Sequence, residues 1–292
     1  PLELDVQRCV AQDYDAGEVA ELFRELEFRT LLDRLKNHDL KQLPLFGGES
    51  DPDEEPEGTT FPTTIVQDKN ALDALVEVLN NAQGIAFDTE TTSTDAMSAR
   101  LVGIALAVDT EHGYYIPVGH DDDEGLQIAL DFVLDALRGP LTNPHIPKYA
   151  HNATFDLLIM QRNGINVTPI TFDTMLAEWV RDPISKFLGL KNFARQYLRV
   201  DMVDIEQLIG KGKKQKSMAE IAIERVAPYA GSDAVVTMQA VDLLRDELEK
   251  DDNKTIFETL EMPIVPVIAA MERAGILLDV HHLRQMSDDL AS

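Results

Sequence analysis

At 292 residues the chain is long enough for one large or two modest domains with an ample core. Its 26 basic and 52 acidic residues leave a net charge of −26, which argues against a polyanion held by bulk surface charge. A lone cysteine, Cys9, excludes an intrachain disulfide and fits a reducing compartment. The N-terminus carries no signal-peptide pattern. The most apolar segment, Met262 to Met271, is short and interrupted by Pro263 and Pro266. No membrane span is expected, and a cytoplasmic location is.

Taken in order, Leu2, Leu4 and Val6 alternate like the tail of a strand. Apolar residues then recur at helical spacing, predicting a helix over about 15–36. Between Glu49 and Gly58 stand six acids and two prolines with no apolar residue, so the acidic stretch of about 47–60 reads as a disordered linker. A new domain is expected from residue 63. It begins with a strand at 64–67, then a helix capped by Asn70, helped by Asp73 and ending at Leu79. Strands at 85–90, 101–108 and 113–118 follow as an antiparallel meander. A helix led by Asp121–Glu124 should end at Leu137, before Gly139-Pro140. A strand at 147–150, a helix over 151–163 and a short extended piece near Ile170 come next. The remainder is expected to be helical, with Pro228 opening one helix. The sum is an α/β domain with a mixed sheet of five strands flanked by helices. The helical stretch from about 251 reads as the start of something larger.

Gly84-Ile-Ala-Phe-Asp-Thr-Glu90 places two carboxylates, Asp88 and Glu90, on one face of an apolar strand, roughly 6–7 Å apart. Chance is a serious competitor, because 52 acids in 292 residues supply about nine acid-x-acid pairs. Partners decide the matter. Asp156 falls near the start of a helix that follows a strand, where ligand sites gather in such sheets. Tyr229 and Asp233 stand four apart, on one helical face. Taken alone, Asp156 reads as a helix-dipole acid and Tyr229/Asp233 as a surface pair. Together, the four carboxylates are hard oxygen ligands suited to Mg²⁺ or Mn²⁺. Lys211, Lys213, Lys214 and Lys216 form the densest basic cluster, by default a solvated loop. Trp179 with Met175 and Leu176 reads as core, and the histidines as surface or satisfied polar residues.

Asp88-Thr-Glu90, Asn152-x-x-Phe-Asp156 and Tyr229-x-x-x-Asp233 resemble the three motifs of the DEDDy 3′→5′ exonucleases. The flanks at Arg100-Leu-Val-Gly, Tyr115-Ile-Pro-Val-Gly-His120, Phe172-Asp-Thr-Met-Leu176, Ile209-Gly-Lys-Gly-Lys213 and Glu261-Met-Pro-Ile-Val-Pro266 are similar to the proofreading domains of family A bacterial DNA polymerases. The resemblance implies a ribonuclease-H-like fold for 63–250, a linker region over 1–62 and the start of a polymerase thumb over 251–292. It implies hydrolysis of the 3′-terminal phosphodiester of DNA by two divalent ions. Asp88, Glu90, Asp156 and Asp233 would be the ligands, and Tyr229 would orient the attacking water. Asn152, Phe155 and Thr94 would meet the terminal nucleotide, with Lys211 and Lys213 on the phosphate backbone. Thr94 and Ile205 depart from the leucine and the aromatic usual at those places. A monomer acting on single-stranded or frayed 3′ ends, joined to the rest of a polymerase chain, is the expectation. A catalytically silent scaffold and a DEDDy exoribonuclease are the alternatives.

Overall fold

The computed structural model describes residues 15–26, 58–121, 127–212, 215–250 and 253–291. The expected strand tail at 1–6, the acidic stretch up to 57 and the end of the first helix lie outside the described residues. The described part of that helix is α1 (Ala16–Glu25), in an N-terminal unit of its own. Asp15 opens it, its carboxylate accepting from the amides of Gly17 and Glu18.

The second unit begins with β1 (Thr63–Ile65) and α2 (Lys69–Asn80). Asp68, not Asn70, caps α2, because its side chain reaches the amide of Ala71. Asp73 therefore falls beyond the first turn. Leu72, Leu75 and Leu79, three and four apart, form the buried stripe. Next come β2 (Ile85–Thr91), β3 (Leu101–Ala107) and β4 (Gly113–Pro117), the expected antiparallel meander. α3 (Leu130–Thr142) starts later than expected and runs through Gly139-Pro140. Pro140 has no amide to give the carbonyl of Ala136, so the helix forgoes that bond, and Thr142 Oγ1 donates to the Arg138 carbonyl in the last turn. β5 (Lys148–Ala150), α4 (Ala153–Arg162), β6 (Ile170–Asp173) and α5 (Thr174–Arg181) complete the sheet layer.

The sheet order is β1-β4-β3-β2-β5-β6. It has six strands rather than five, because the extended piece near Ile170 pairs in parallel with β5. That pairing is nonlocal, so no local pattern announces it. Every residue of β3 is buried, as a strand covered on both faces must be.

Beyond the sheet, the expected helical stretch begins as a series of short segments, among them α6 (Leu190–Phe193) and α7 (Ile205–Ile209). They lead to α8 (Ile223–Lys250), which crosses the sheet with sixteen buried residues. Pro228 does not open α8; it sits inside the helix, near its start. Two glycines let α8 come close to the strands: a β-carbon on Gly231 would stand 2.2 Å from Thr63 Oγ1, and one on Gly113 2.7 Å from the Gly231 carbonyl. Trp179, expected in the core, is 43% exposed on α5. α5 turns its buried positions, Ala177 and Glu178, toward the interior and leaves the indole outside. α9 (Met262–Ala274) and α10 (Val280–Ala291) close the chain as helices, and no residue of α10 is buried. No helix among the described residues is long and apolar enough to cross a membrane.

Candidate active site

The central strand β2 outruns its neighbour β5. Their pairing covers only Ile85 with Lys148 and Ala86 with Tyr149, so Asp88, Thr89 and Glu90 extend past the end of β5. On that open edge the Thr89 amide and hydroxyl both donate to Asp156 Oδ1, at 3.0 and 2.5 Å. A helix side chain thus takes over where a strand would have paired, and it holds Asp156, 3% exposed, beside the two strand carboxylates.

The start of α4, which carries Asp156, is set by Asp173 at the end of β6. Its carboxylate accepts from the amides of Asn152 and Ala153 at one helix start and from Met175 and Leu176 at the next. One acid caps two helices. Asn152 accordingly turns into the left-handed region (φ 64°) and points its exposed side chain outward.

From the other side, α8 brings Tyr229 and Asp233, stacked one turn apart. One oxygen each of Asp88, Glu90 and Asp233 lie within 4.8 Å of one another, a grouping suited to a metal ion. Asp233 Oδ1 is buried and lacks a hydrogen-bond partner among the described residues. A buried carboxylate oxygen left unpaired is costly unless a cation meets it. Four hard oxygen donors and that orphaned atom fit a divalent cation of the Mg²⁺ or Mn²⁺ kind.

Electrostatics agree. Burial, then the neighbouring carboxylates Asp156, Glu90 and Asp233, push Asp88 well above the ordinary carboxylate range. Glu90 is raised to about 8, by burial first and then by Asp233. Asp156 and Asp233 are also raised, chiefly by burial. Lys191 opposes the crowding, lowering Asp88, Glu90 and Asp233. Burial and these same acids raise Tyr229 far above the usual phenol value, so its hydroxyl stays protonated and donates.

The structure gathers some expected contacts and scatters others. Thr94, Asn152 and Phe155 line one cavity of about 330 Å³ together with Met97, Leu158 and Glu272. Lys211 is exposed and ion-paired with Glu206 at 2.6 Å, rather than lying over the carboxylates. Lys213 lies outside the described residues. His120 is buried with its ring bonded to the Tyr115 hydroxyl and the Ile221 carbonyl, a satisfied polar residue as expected. Sequence reasoning missed Asp173 and Lys191 as parts of the site. Asp173 lay inside a quoted motif without a role, and nothing local marks Lys191.

A family model described as 3′-5′ exonuclease matches residues 63–249. Among curated proteins, the chain is similar to DNA polymerase I of Chloroflexus aurantiacus, 37% identical over all of this chain and 33% of that protein. It is also similar to DNA polymerase I of Pseudomonas aeruginosa, 33% identical over 99% of this chain and 32% of that protein. The chain therefore spans about a third of the length of these relatives. Among solved structures, the POL domain of Pol1 from M. smegmatis, in complex with DNA primer-template and dNTP, superimposes with a TM-score of 0.61 at 20% identity. That match covers 78% of this chain and 35% of that one. Escherichia coli RNase D, an exoribonuclease, gives 0.55 at 19% identity, covering 74% and 52%. At such identities the structural likeness shows the fold, which is ribonuclease-H-like. With more than half of its length matched by the family model, the chain belongs to the 3′-5′ exonuclease family and corresponds to the exonuclease region of DNA polymerase I.

Proposed function

We propose that this chain removes nucleotides from the 3′ end of DNA as a proofreading nuclease, releasing nucleoside monophosphates. The carrying observation is the trio Asp88, Glu90 and Asp233, within 4.8 Å of one another, with Asp156 fixed beside them by Thr89. In this reading Asp88, Glu90 and Asp233 would hold one divalent ion, and Asp156, with Asp88, would hold a second; Mg²⁺ is the expected metal and Mn²⁺ a substitute. Bound there, such ions supply Lewis acidity and neutralise charge on the phosphate.

The protein's own groups do the rest. Tyr229, kept protonated by its surroundings, donates a hydrogen bond that orients the attacking water and does not act as a base. The cavity at Thr94, Asn152 and Phe155 receives the terminal nucleotide, Phe155 packing against the base. Single-stranded or frayed 3′ termini are the substrates in this reading. Residues 63–250 form the nuclease unit in this assignment, 1–62 a linker region and 251–292 the start of a thumb continuing into a polymerase, in a cytoplasmic, monomeric protein.

The test is digestion of 3′-labelled and 5′-labelled DNA with and without Mg²⁺. Immediate release of the 3′ label as mononucleotide, absent in EDTA, is expected. Intact DNA under both conditions would identify a silent scaffold, and selective loss of an RNA oligonucleotide an exoribonuclease.

A further inference from the structure

We propose that Lys191 is a positioning residue for catalysis, acting through Tyr229. The inference deepens the exonuclease reading and rests on it. Lys191 sits on α6, just after Gly189. Its ammonium donates to the Tyr229 hydroxyl at 2.7 Å and to the Val203 carbonyl at 2.6 Å. It also lies 3.9 Å from the centre of the Tyr229 ring. An ammonium has only donors, so the tyrosine oxygen must accept here. Its own hydrogen is therefore directed away from the lysine.

A phenol O–H prefers the plane of its ring, where two opposite orientations are open to it. Fixing its acceptor lobe on Lys191 leaves one useful arc for the hydrogen, toward the carboxylates and whatever lies between them. The Val203 carbonyl matters because it anchors the lysine. Without a second partner, a long flexible side chain beside three carboxylates would fold over onto them. A positive charge held at the tyrosine rather than among the acids leaves the Asp88, Glu90 and Asp233 oxygens open to a cation. A purely structural staple between the Val203 loop and α8 would use the same two bonds, and a double-mutant cycle separates the two roles.

The experiment measures kcat and KM on single-stranded DNA for wild type, Lys191→Met, Tyr229→Phe and the double variant. Lys191→Met should lower kcat about tenfold or more with KM little changed, and cost less than about twofold once residue 229 is phenylalanine. Equal losses in both backgrounds, or no loss, overturn the proposal. Lys191→Gln, shorter and uncharged, takes the same comparison if the methionine variant does not fold. A second arm needs no activity. In protein labelled at tyrosine Cζ, Lys191→Met should move the NMR resonance assigned to Tyr229, among six tyrosines, more than any other. An unmoved Tyr229 resonance overturns the contact. An inactive wild type with a shifted resonance overturns the exonuclease reading and leaves the Lys191–Tyr229 arrangement standing.

Discussion

Among the described residues, the buried acids around Glu178 and those around Asp88 are built in opposite ways. Around Glu178 every charge is met within the chain. Arg181 clamps the carboxylate with two bonds at 2.8 and 2.9 Å, Ser185 adds a hydroxyl, and the guanidinium stacks 4.6 Å over the Tyr197 ring. Around Asp88 and Glu90 four carboxylates crowd together with one ammonium at the margin, and an Asp233 oxygen has no partner among the described residues. A fold seeking only stability has no use for the second arrangement, since like charges in a low-dielectric setting repel. The contrast teaches that burial alone does not mark a functional acid. What marks it is burial without internal compensation.

The largest expected effect tests the uncompensated side. Asp88→Ala should reduce nuclease activity roughly a hundredfold or more, while the metal-free protein melts no lower than wild type, because a repelling charge has gone. Surviving activity would remove Asp88 from the chemistry. Glu178→Ala should do the reverse. It strands a largely buried Arg181 and should cost about 3 kcal/mol in urea denaturation, with the rate per folded molecule unchanged. A loss near zero would erase the distinction between the sites.

Asp173→Ala removes acceptors from two helix starts and should cost about 2 kcal/mol. Activity should fall as well, because α4 carries Asp156. Full activity in a destabilised protein would separate the cap from the site. The smallest effect concerns pH. The site carboxylates have folded values raised above their ordinary range near 4, Glu90 to about 8 and Asp156 to about 7. Raised values favour the protonated folded protein, so their contribution to stability is greatest near pH 4 and is lost as pH climbs toward 8. Divalent ions bind the ionised groups. The melting-temperature gain on replacing EDTA by Mg²⁺ should therefore be wider at pH 8 than at pH 5. An equal gain at both would contradict the crowding.

Much of this was legible in the sequence, for identifiable reasons. Strand alternation alone puts Asp88 and Glu90 on one face, and a four-residue interval puts Tyr229 and Asp233 on one helical face wherever the helix begins. The misplaced start at Pro228 did no harm for that reason. Helix starts were less legible, since Asp68 and Asn70 are both good caps and only the folded backbone chooses between them. The sixth strand depends on pairing across distant segments. The early end of β5 does too, and so do the Asp156–Thr89 and Lys191–Tyr229 contacts. Trp179 misled because an indole contributes apolar area whether or not its helix turns it inward.

The near-contact of Gly113 and Gly231 has a consequence for the spacing of the site. Asp233 rides on the helix, Asp88 and Glu90 on the sheet, so the gap between those layers acts as a gauge for whatever sits between them. A side chain at either glycine would meet Thr63 or the Gly231 backbone at 2.2–2.7 Å, so something must shift, and the shift would fall on the spacing that brings the three carboxylates together.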